Sequence, residues 1–241
     1  MSAVPPGSPP LGARAVAAVA FCPAPPLLLP AVEGRPDDAT TALRAACAAA
    51  VADLLAVGPE VVVVVADGAE PGARFGAGDA GDLRGFGVDV ELPFQGCVRS
   101  GGRRVPTAHS LGAWLLDQAG FAGTRVGVGP ADLARLTRDL PPPLGVLAMG
   151  DGSARRTLKA PGYLDEAAAP FDAGVARALQ AGDAAALAAL DEVEGQRLLA
   201  AGVPVWRAVG SVFAGRSVSA RLHHDAAPLG VGYLAASWVV A

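Results

Sequence analysis

Two kinds of segment alternate along the chain. Unbroken apolar runs occur at residues 15–21, at Val61–Ala66 and at Leu144–Met149, each bounded by Pro, Gly or Asp. Runs of this length without polar alternation predict strands buried on both faces. Between the first two, Leu43, Ala46, Cys47, Ala50, Val51, Leu54 and Leu55 recur at spacings of three and four. That spacing gives one apolar stripe on a helix. Asp37 and Asp38 suit its start, and Gly58-Pro59 stops it. A strand, a helix and a second buried strand form a βαβ unit, which implies parallel pairing.

Further elements follow the same logic. Residues 68–85 are glycine-rich and aperiodic and predict a long loop; 86–92 alternate weakly as a further strand. Residues 111–119 predict a helix begun at Thr107 or Ser110, 124–129 a short strand and 131–140 a helix. From 166 to 213 the chain is Ala- and Leu-rich and reads as helix, divided at Gly182-Asp183, Gly195 and Gly202-Val203-Pro204. Residues 218–223 and 231–240 predict two strands around the turn Ala227-Pro228-Leu229-Gly230. The expectation is one α/β domain over 15–241, with a mostly parallel central sheet, helices on both faces and a C-terminal strand pair. A Pro/Gly-rich leader over 1–14 reads as disordered.

Composition narrows the function classes. Hydrophobic residues make up 52% and charged residues 17%, enough apolar material for a large core. The formal net charge is −4 and Lys159 is the only lysine, so no basic face is offered to phosphates and nucleic acid is excluded as a partner. Pro23, Pro25, Pro26 and Pro30 break the apolar stretch over 15–32, which therefore does not read as a membrane span. Phe21 ahead of Cys22, with Arg14 as the lone basic residue, does not fit a secretory signal either, and a cytoplasmic protein is expected. Cys22, Cys47 and Cys97 lack paired spacing and read as reduced thiols, Cys47 on the apolar face of its helix.

In an open α/β sheet, ligands bind beyond the carboxyl ends of the strands. Three such ends carry unusual residues: Cys22-Pro23-Ala24-Pro25-Pro26 with Glu33 beyond, Asp67-Gly68, and Gly150-Asp151-Gly152-Ser153-Ala154-Arg155-Arg156. A parallel sheet would bring them to one crevice. Asp151 suits a general base or a hydrogen-bond acceptor, and Arg155, Arg156 and Lys159 beside glycine amides suit an anionic ligand. The competing reading is that Asp151 and Ser153 cap a turn and the arginines are solvated. Phosphate-loop spacing is absent, and Ser153 does not sit in a GxSxG elbow. His223 and His224, adjacent on a predicted strand, would face opposite ways, and His109 precedes a helix; no metal site is assigned from them.

Several of these segments resemble the class III extradiol ring-cleavage dioxygenase subunit-B-like family, in particular a branch found in high-GC actinobacteria. They are Phe-Cys-Pro-Ala-Pro-Pro-Leu-Leu-Leu-Pro after the first strand, Met-Gly-Asp-Gly-Ser-Ala-Arg-Arg, Ala-Pro-Gly-Tyr-Leu-Asp, Ala-Gly-Asp-Ala-Ala-Ala-Leu-Ala-Ala-Leu-Asp and Gly-Val-Gly-Tyr-Leu. The resemblance covers about residues 15–240. It implies a mixed α/β domain holding iron(II) at the strand ends, where dioxygen and a catechol would react, and so a small aromatic ligand. Ala24, Asp67-Gly68 and Ala154 stand where the family carries histidines. The expected protein is therefore a degenerate or repurposed small-molecule binder, with catalytic candidates Asp151, Ser153 and Arg155 and binding candidates Ala24, Glu33, Asp67, Arg156 and Tyr163. One alternative is a metal-dependent oxidoreductase with substitute ligands from Asp67, Glu33, Asp151 or His109. Another is a structural or partner-binding protein, a homo-oligomer included.

Overall fold

A computed structural model describes residues 16–35 and 37–241; the leader over 1–14 lies outside the described residues. The central sheet has seven strands in the order β3-β6-β2-β7-β1-β9-β8. Its parallel core is β1 (Val16–Cys22), β2 (Val61–Ala66), β6 (Thr124–Val128) and β7 (Leu144–Met149). The C-terminal hairpin, β8 (Val218–Ala226) and β9 (Tyr233–Val240), joins it antiparallel to β1. At the other edge β3 (Arg74–Phe75) pairs antiparallel with β6. A separate two-stranded sheet joins β4 (Ala80–Asp82) and β5 (Glu91–Pro93).

Alternation along buried strands sorts side chains into two apolar layers. Val63 and Val65 of β2, with Val19 and Phe21 of β1, belong to one core. Val62, Val64 and Ala66, with Ala18, Ala20 and Cys22, belong to the other. The first is covered by α4 (Pro130–Asp139), α5 (Ala168–Ala181) and α8 (Val203–Val212), the second by α2 (Asp38–Leu55) and α3 (Thr107–Gln118). Helices thus cover both faces, which is why β2 and β7 read as continuous apolar runs rather than alternating ones. Three short helices complete the set: α1 (Pro30–Glu33), α6 (Ala184–Ala188) and α7 (Glu192–Arg197).

The strand and helix limits read from periodicity match the long elements closely. Asp37 is the N-cap of α2, its carboxylate accepting from the Thr40 amide at 2.7 Å. Residues 68–92 differ from expectation. In place of a loop and one strand over 86–92, the chain forms β3, β4 and β5, and Phe86 lies in a 3-10 turn. Strands of two or three residues are too short to show a period of two. Gly195 also differs: it lies inside α7 and is buried, where a Cβ would come within 2.7 Å of the Val203 side chain. Close packing, not helix breaking, calls for glycine there. The actual starts are Asp183 and Asp191, whose side chains accept from Ala186 at 2.9 Å and from Val193 at 2.8 Å.

Candidate functional site

Cys22 of β1 pairs with Met149 of β7, and Met149 pairs with Ala66 of β2. The three loops flagged by sequence therefore leave adjacent strands at the same level. The Gly150 amide donates to the Cys22 carbonyl at 3.0 Å, extending the ladder by one bond. The Ala24 amide donates to Oδ1 of Asp151 at 2.7 Å, so the first and third loops meet directly. On the other side of β7, the Gly202 amide donates to the Asp151 carbonyl at 2.7 Å and anchors the turn leading into α8.

Asp151 is half-buried. Burial raises its carboxyl from the usual 3.8 to about 6, against the Ala24 amide, which favours the charged form. Tyr233, at the start of β9, is pushed up to about 12, first by burial and then by the charge of Asp151 nearby. A carboxyl poised near 6 at a strand end can take up or release a proton around neutral pH.

Asp67 is exposed at the end of β2 and lines a cleft of about 510 Å³. The opposite wall comes from α7 and the start of α8: Gln196, Leu199, Ala200, Val203 and Pro204. Leu199 holds a left-handed backbone, φ 56°, with its side chain 46% exposed. Behind Asp67, His109 is fully buried in the first turn of α3. Its Nε2 lies 2.9 Å from the Val128 carbonyl, its ring packs edge-on against Phe75, and its Nδ1 has no hydrogen-bond partner among the described residues. Burial lowers the His109 pKa more than the Val128 carbonyl and Asp67 raise it, so the ring is neutral at pH 7.

The remaining residues singled out from sequence are held by other contacts. Glu33 forms an ion pair with Arg44 of α2, whose guanidinium also donates to the carbonyls of Leu28 at 2.8 Å and Leu27 at 3.0 Å. This arrangement fastens the proline-rich loop onto α2. Ser153 and Arg156 converge on Asp172 of α5: the Ser153 amide, its hydroxyl and the Arg156 guanidinium donate to that carboxylate at 2.8, 2.7 and 2.9 Å. Arg155 packs beside Gly162 and Leu199, and its Nε is buried with no hydrogen-bond partner among the described residues. Ala154 donates its amide to the Leu198 carbonyl at 3.0 Å. Tyr163 is 62% exposed, at φ 63°.

An extradiol iron centre needs two imidazoles and a carboxylate on one face of the metal. Ala24 and Ala154 carry no lone pair, and among the described residues no group of three or more His, Cys, Asp or Glu side chains is arranged to hold a metal ion. The residues present do not fit iron(II) in that mode.

Several polar side chains that organise this end of the sheet were not singled out from sequence. Asp172 falls three residues before Val175 on the buried face of α5, so an acid on an apolar stripe was the available signal. Tyr233 falls in the Gly-Val-Gly-Tyr-Leu segment quoted for the resemblance, but its own place on a strand marks no role, because aromatic residues suit strands in any case. Cys22 and Cys47 adjoin across the layer between β1 and α2 as free thiols, the Cys22 thiol 4.0 Å from the Cys47 carbonyl, and the Cys47 side chain and burial raise the Cys22 pKa. His223 lies where a bulge interrupts the β8 register. Its Nε2 is 2.9 Å from the Ser237 hydroxyl and 3.2 Å from Asp53, and that hydroxyl donates to Asp53 at 2.6 Å. Ser237 is only 2% exposed and gives its proton to the acid, so the cluster ties α2 to the hairpin rather than presenting a nucleophile.

Comparison of the chain with protein-family models and with curated proteins finds no match.

Proposed function

We propose that the protein binds a small organic molecule in the cleft at the carboxyl ends of β2 and β7, as an extradiol-dioxygenase-like domain repurposed away from iron chemistry. The observation that carries this reading is the cleft itself. Asp67 enters it directly from a strand end, and its far wall is hydrogen-bonded through Gly202 to the backbone of Asp151. A space of about 510 Å³ with mainly apolar walls is of the size that encloses a drug-sized ligand. Asp151, with its proton affinity raised, supplies a proton acceptor or donor at the same edge of the sheet. The substrate-level expectation is a one-ring compound, from the resemblance noted in the sequence.

The reading is tested by protein-observed NMR with a set of one-ring aromatic fragments. Amide shifts are expected to concentrate at Asp67, Gln196 and residues 199–203. Ala200→Phe, which fills the cleft from an already apolar wall position, is expected to abolish them while leaving the rest of the spectrum in place. Shifts confined to other surfaces, or undiminished in Ala200→Phe, would overturn it.

The metal-dependent alternative calls for Asp67, Glu33 and Asp151 to share an ion. Glu33 is engaged with Arg44 and Asp151 with the Ala24 amide, and Asp67 alone of the three lines the cleft. A thermal-shift titration with iron(II), magnesium and calcium is expected to leave the melting temperature unchanged. A metal-induced rise that Asp67→Ala removes would favour the alternative.

A further inference from the structure

We infer that the ligand of this cleft is an organic monocation: an amine whose ammonium group meets Asp67 and whose apolar body lies along Leu199, Ala200, Val203 and Pro204. The inference rests on the small-molecule reading above and adds the charge of the ligand to it.

The balance of charge in the cleft points this way. Two carboxylates line it, Asp67 and Glu192, and among the described residues no Lys, Arg or His does. Glu192 is already neutralised by Arg207, whose Nε lies 2.7 Å from its carboxylate. Asp67 has no hydrogen bond or ion pair among the described residues. His109, which feels the charge of Asp67, is sealed in the core with its pKa lowered by burial, so it brings no compensating charge. A ligand that covers Asp67 strips water from an ionised carboxylate, which costs free energy unless the ligand supplies a positive charge or strong donors in return. An anion would meet repulsion from Asp67, and Arg207, the cation beside the cleft, is already paired with Glu192. A neutral apolar molecule would leave the carboxylate desolvated and unpaired.

A bare metal ion does not satisfy the same demand. Divalent ions take six or more oxygen ligands, or four mixed donors, and the described residues offer no such group here. The wall facing Asp67 is also aliphatic, which suits hydrocarbon rather than a hydration shell. Leu199, which lines the cleft, is 46% exposed and leaves apolar surface open to a ligand.

Three probes of matched shape separate charge from shape: 3-phenylpropylamine, 3-phenylpropanol and 3-phenylpropanoate. Each is titrated into the full-length chain at pH 7, with amide chemical shifts locating the site and giving the affinity. The amine is expected to bind about threefold to fivefold more tightly than the alcohol, the upper part of the range for one exposed ion pair. The carboxylate is expected to bind more weakly than both. Asp67→Asn, a substitution at an exposed position, should bring amine and alcohol within about twofold of each other. Raising salt to about 0.5 M should weaken the amine selectively. Equal affinities for amine and alcohol, or a preference for the carboxylate, would overturn the cationic assignment and leave the cleft standing as a small-molecule site, because shifts would still map to residues 196–203. No shift at those residues with any probe would remove both readings. An unchanged amine preference in Asp67→Asn would place the recognising charge elsewhere and overturn the role given to Asp67.

Discussion

Asp172→Ala is expected to lower folding stability by about 3 to 5 kcal/mol, the usual cost of removing one partner from a buried, charge-assisted network. The Asp172 carboxylate is fully buried and accepts three hydrogen bonds, from the Ser153 amide, the Ser153 hydroxyl and Arg156. Removing it leaves the buried Ser153 amide and the partly exposed Arg156 guanidinium without this acceptor, and the Ser153 hydroxyl with only the Ala168 carbonyl at 3.5 Å. The backbone has been shaped around this group. A Cβ on Gly152 would come within 2.8 Å of Oδ1, and one on Gly232 within 2.3 Å of Oδ2, so both neighbours are glycine because the carboxylate is there. Asp172→Asn keeps one acceptor oxygen and should cost less than the alanine variant. Asp172→Ala combined with Arg156→Met should recover part of the loss, since the stranded charge is then gone. Denaturant midpoints at pH 7 check the order wild type, Asn, Ala. A loss below about 1 kcal/mol for Asp172→Ala would mean that the network is hydrated and holds nothing.

The consequence for the site is positional. Residues 152–156 run alongside 230–232, with the Gly152 amide donating to the Gly232 carbonyl at 2.7 Å, the Gly232 amide to Ser153 at 2.8 Å and the Arg156 amide to Gly230 at 3.0 Å. Asp172 fastens this pair to α5 from below. Asp151 sits one residue ahead of the fastened stretch, so its carboxyl is aimed by a segment held on two sides. Ser153 and Arg156, which sequence alone placed among the chemical candidates, serve that fastening in the structure. A polar loop after a buried strand looks the same in sequence whether its side chains face a ligand or face an acid on the next helix.

What could be read in the sequence was set by length and periodicity. β2 and β7 are six-residue apolar runs, and the 18-residue α2 carries an apolar stripe from Leu43 to Leu55, so their hydrophobic signal is local. The convergence of Ala24 and Asp151 followed from parallel pairing of those strands, because carboxyl ends of neighbouring parallel strands share an edge. The cleft was not legible in the same way. Its far wall comes from Gln196 to Pro204, more than a hundred residues from Asp67, and the contact depends on how α7 packs on α8 and α8 on β7. Glu33 illustrates the limit from the other side: it lies beyond the right loop, yet Arg44 is near enough on α2 to claim it.

Replacing Asp151 by asparagine should stabilise the protein at neutral pH and remove a pH dependence that the wild type carries. Burial raises this carboxyl from 3.8 to about 6, so the folded state holds its proton more tightly than the unfolded chain does. The sign follows from linkage: wild-type stability is highest below the unfolded value, falls as pH rises from about 4 to about 6, and is level above that as far as this group is concerned. At roughly 1.4 kcal/mol for each tenfold in proton affinity, the fall is at most about 3 kcal/mol, and relaxation of the half-buried site brings the expected figure to about 1 to 3 kcal/mol. Asparagine keeps an oxygen to accept from the Ala24 amide and never ionises, so Asp151→Asn should match wild type near pH 4 and exceed it by that margin at pH 7.5. Denaturant unfolding across pH 4 to 7.5 measures the difference, and carboxyl carbon shifts in the wild type should titrate with a midpoint near 6. A midpoint below about 4.5, with parallel stability curves for the two proteins, would show Asp151 to be an ordinary solvated acid. The proton-transfer role assigned to it would then have no physical basis. A gain at neutral pH coupled with lost response to ligand would instead identify a charge that the fold tolerates at a cost in stability, the condition expected of a group kept for function rather than for folding.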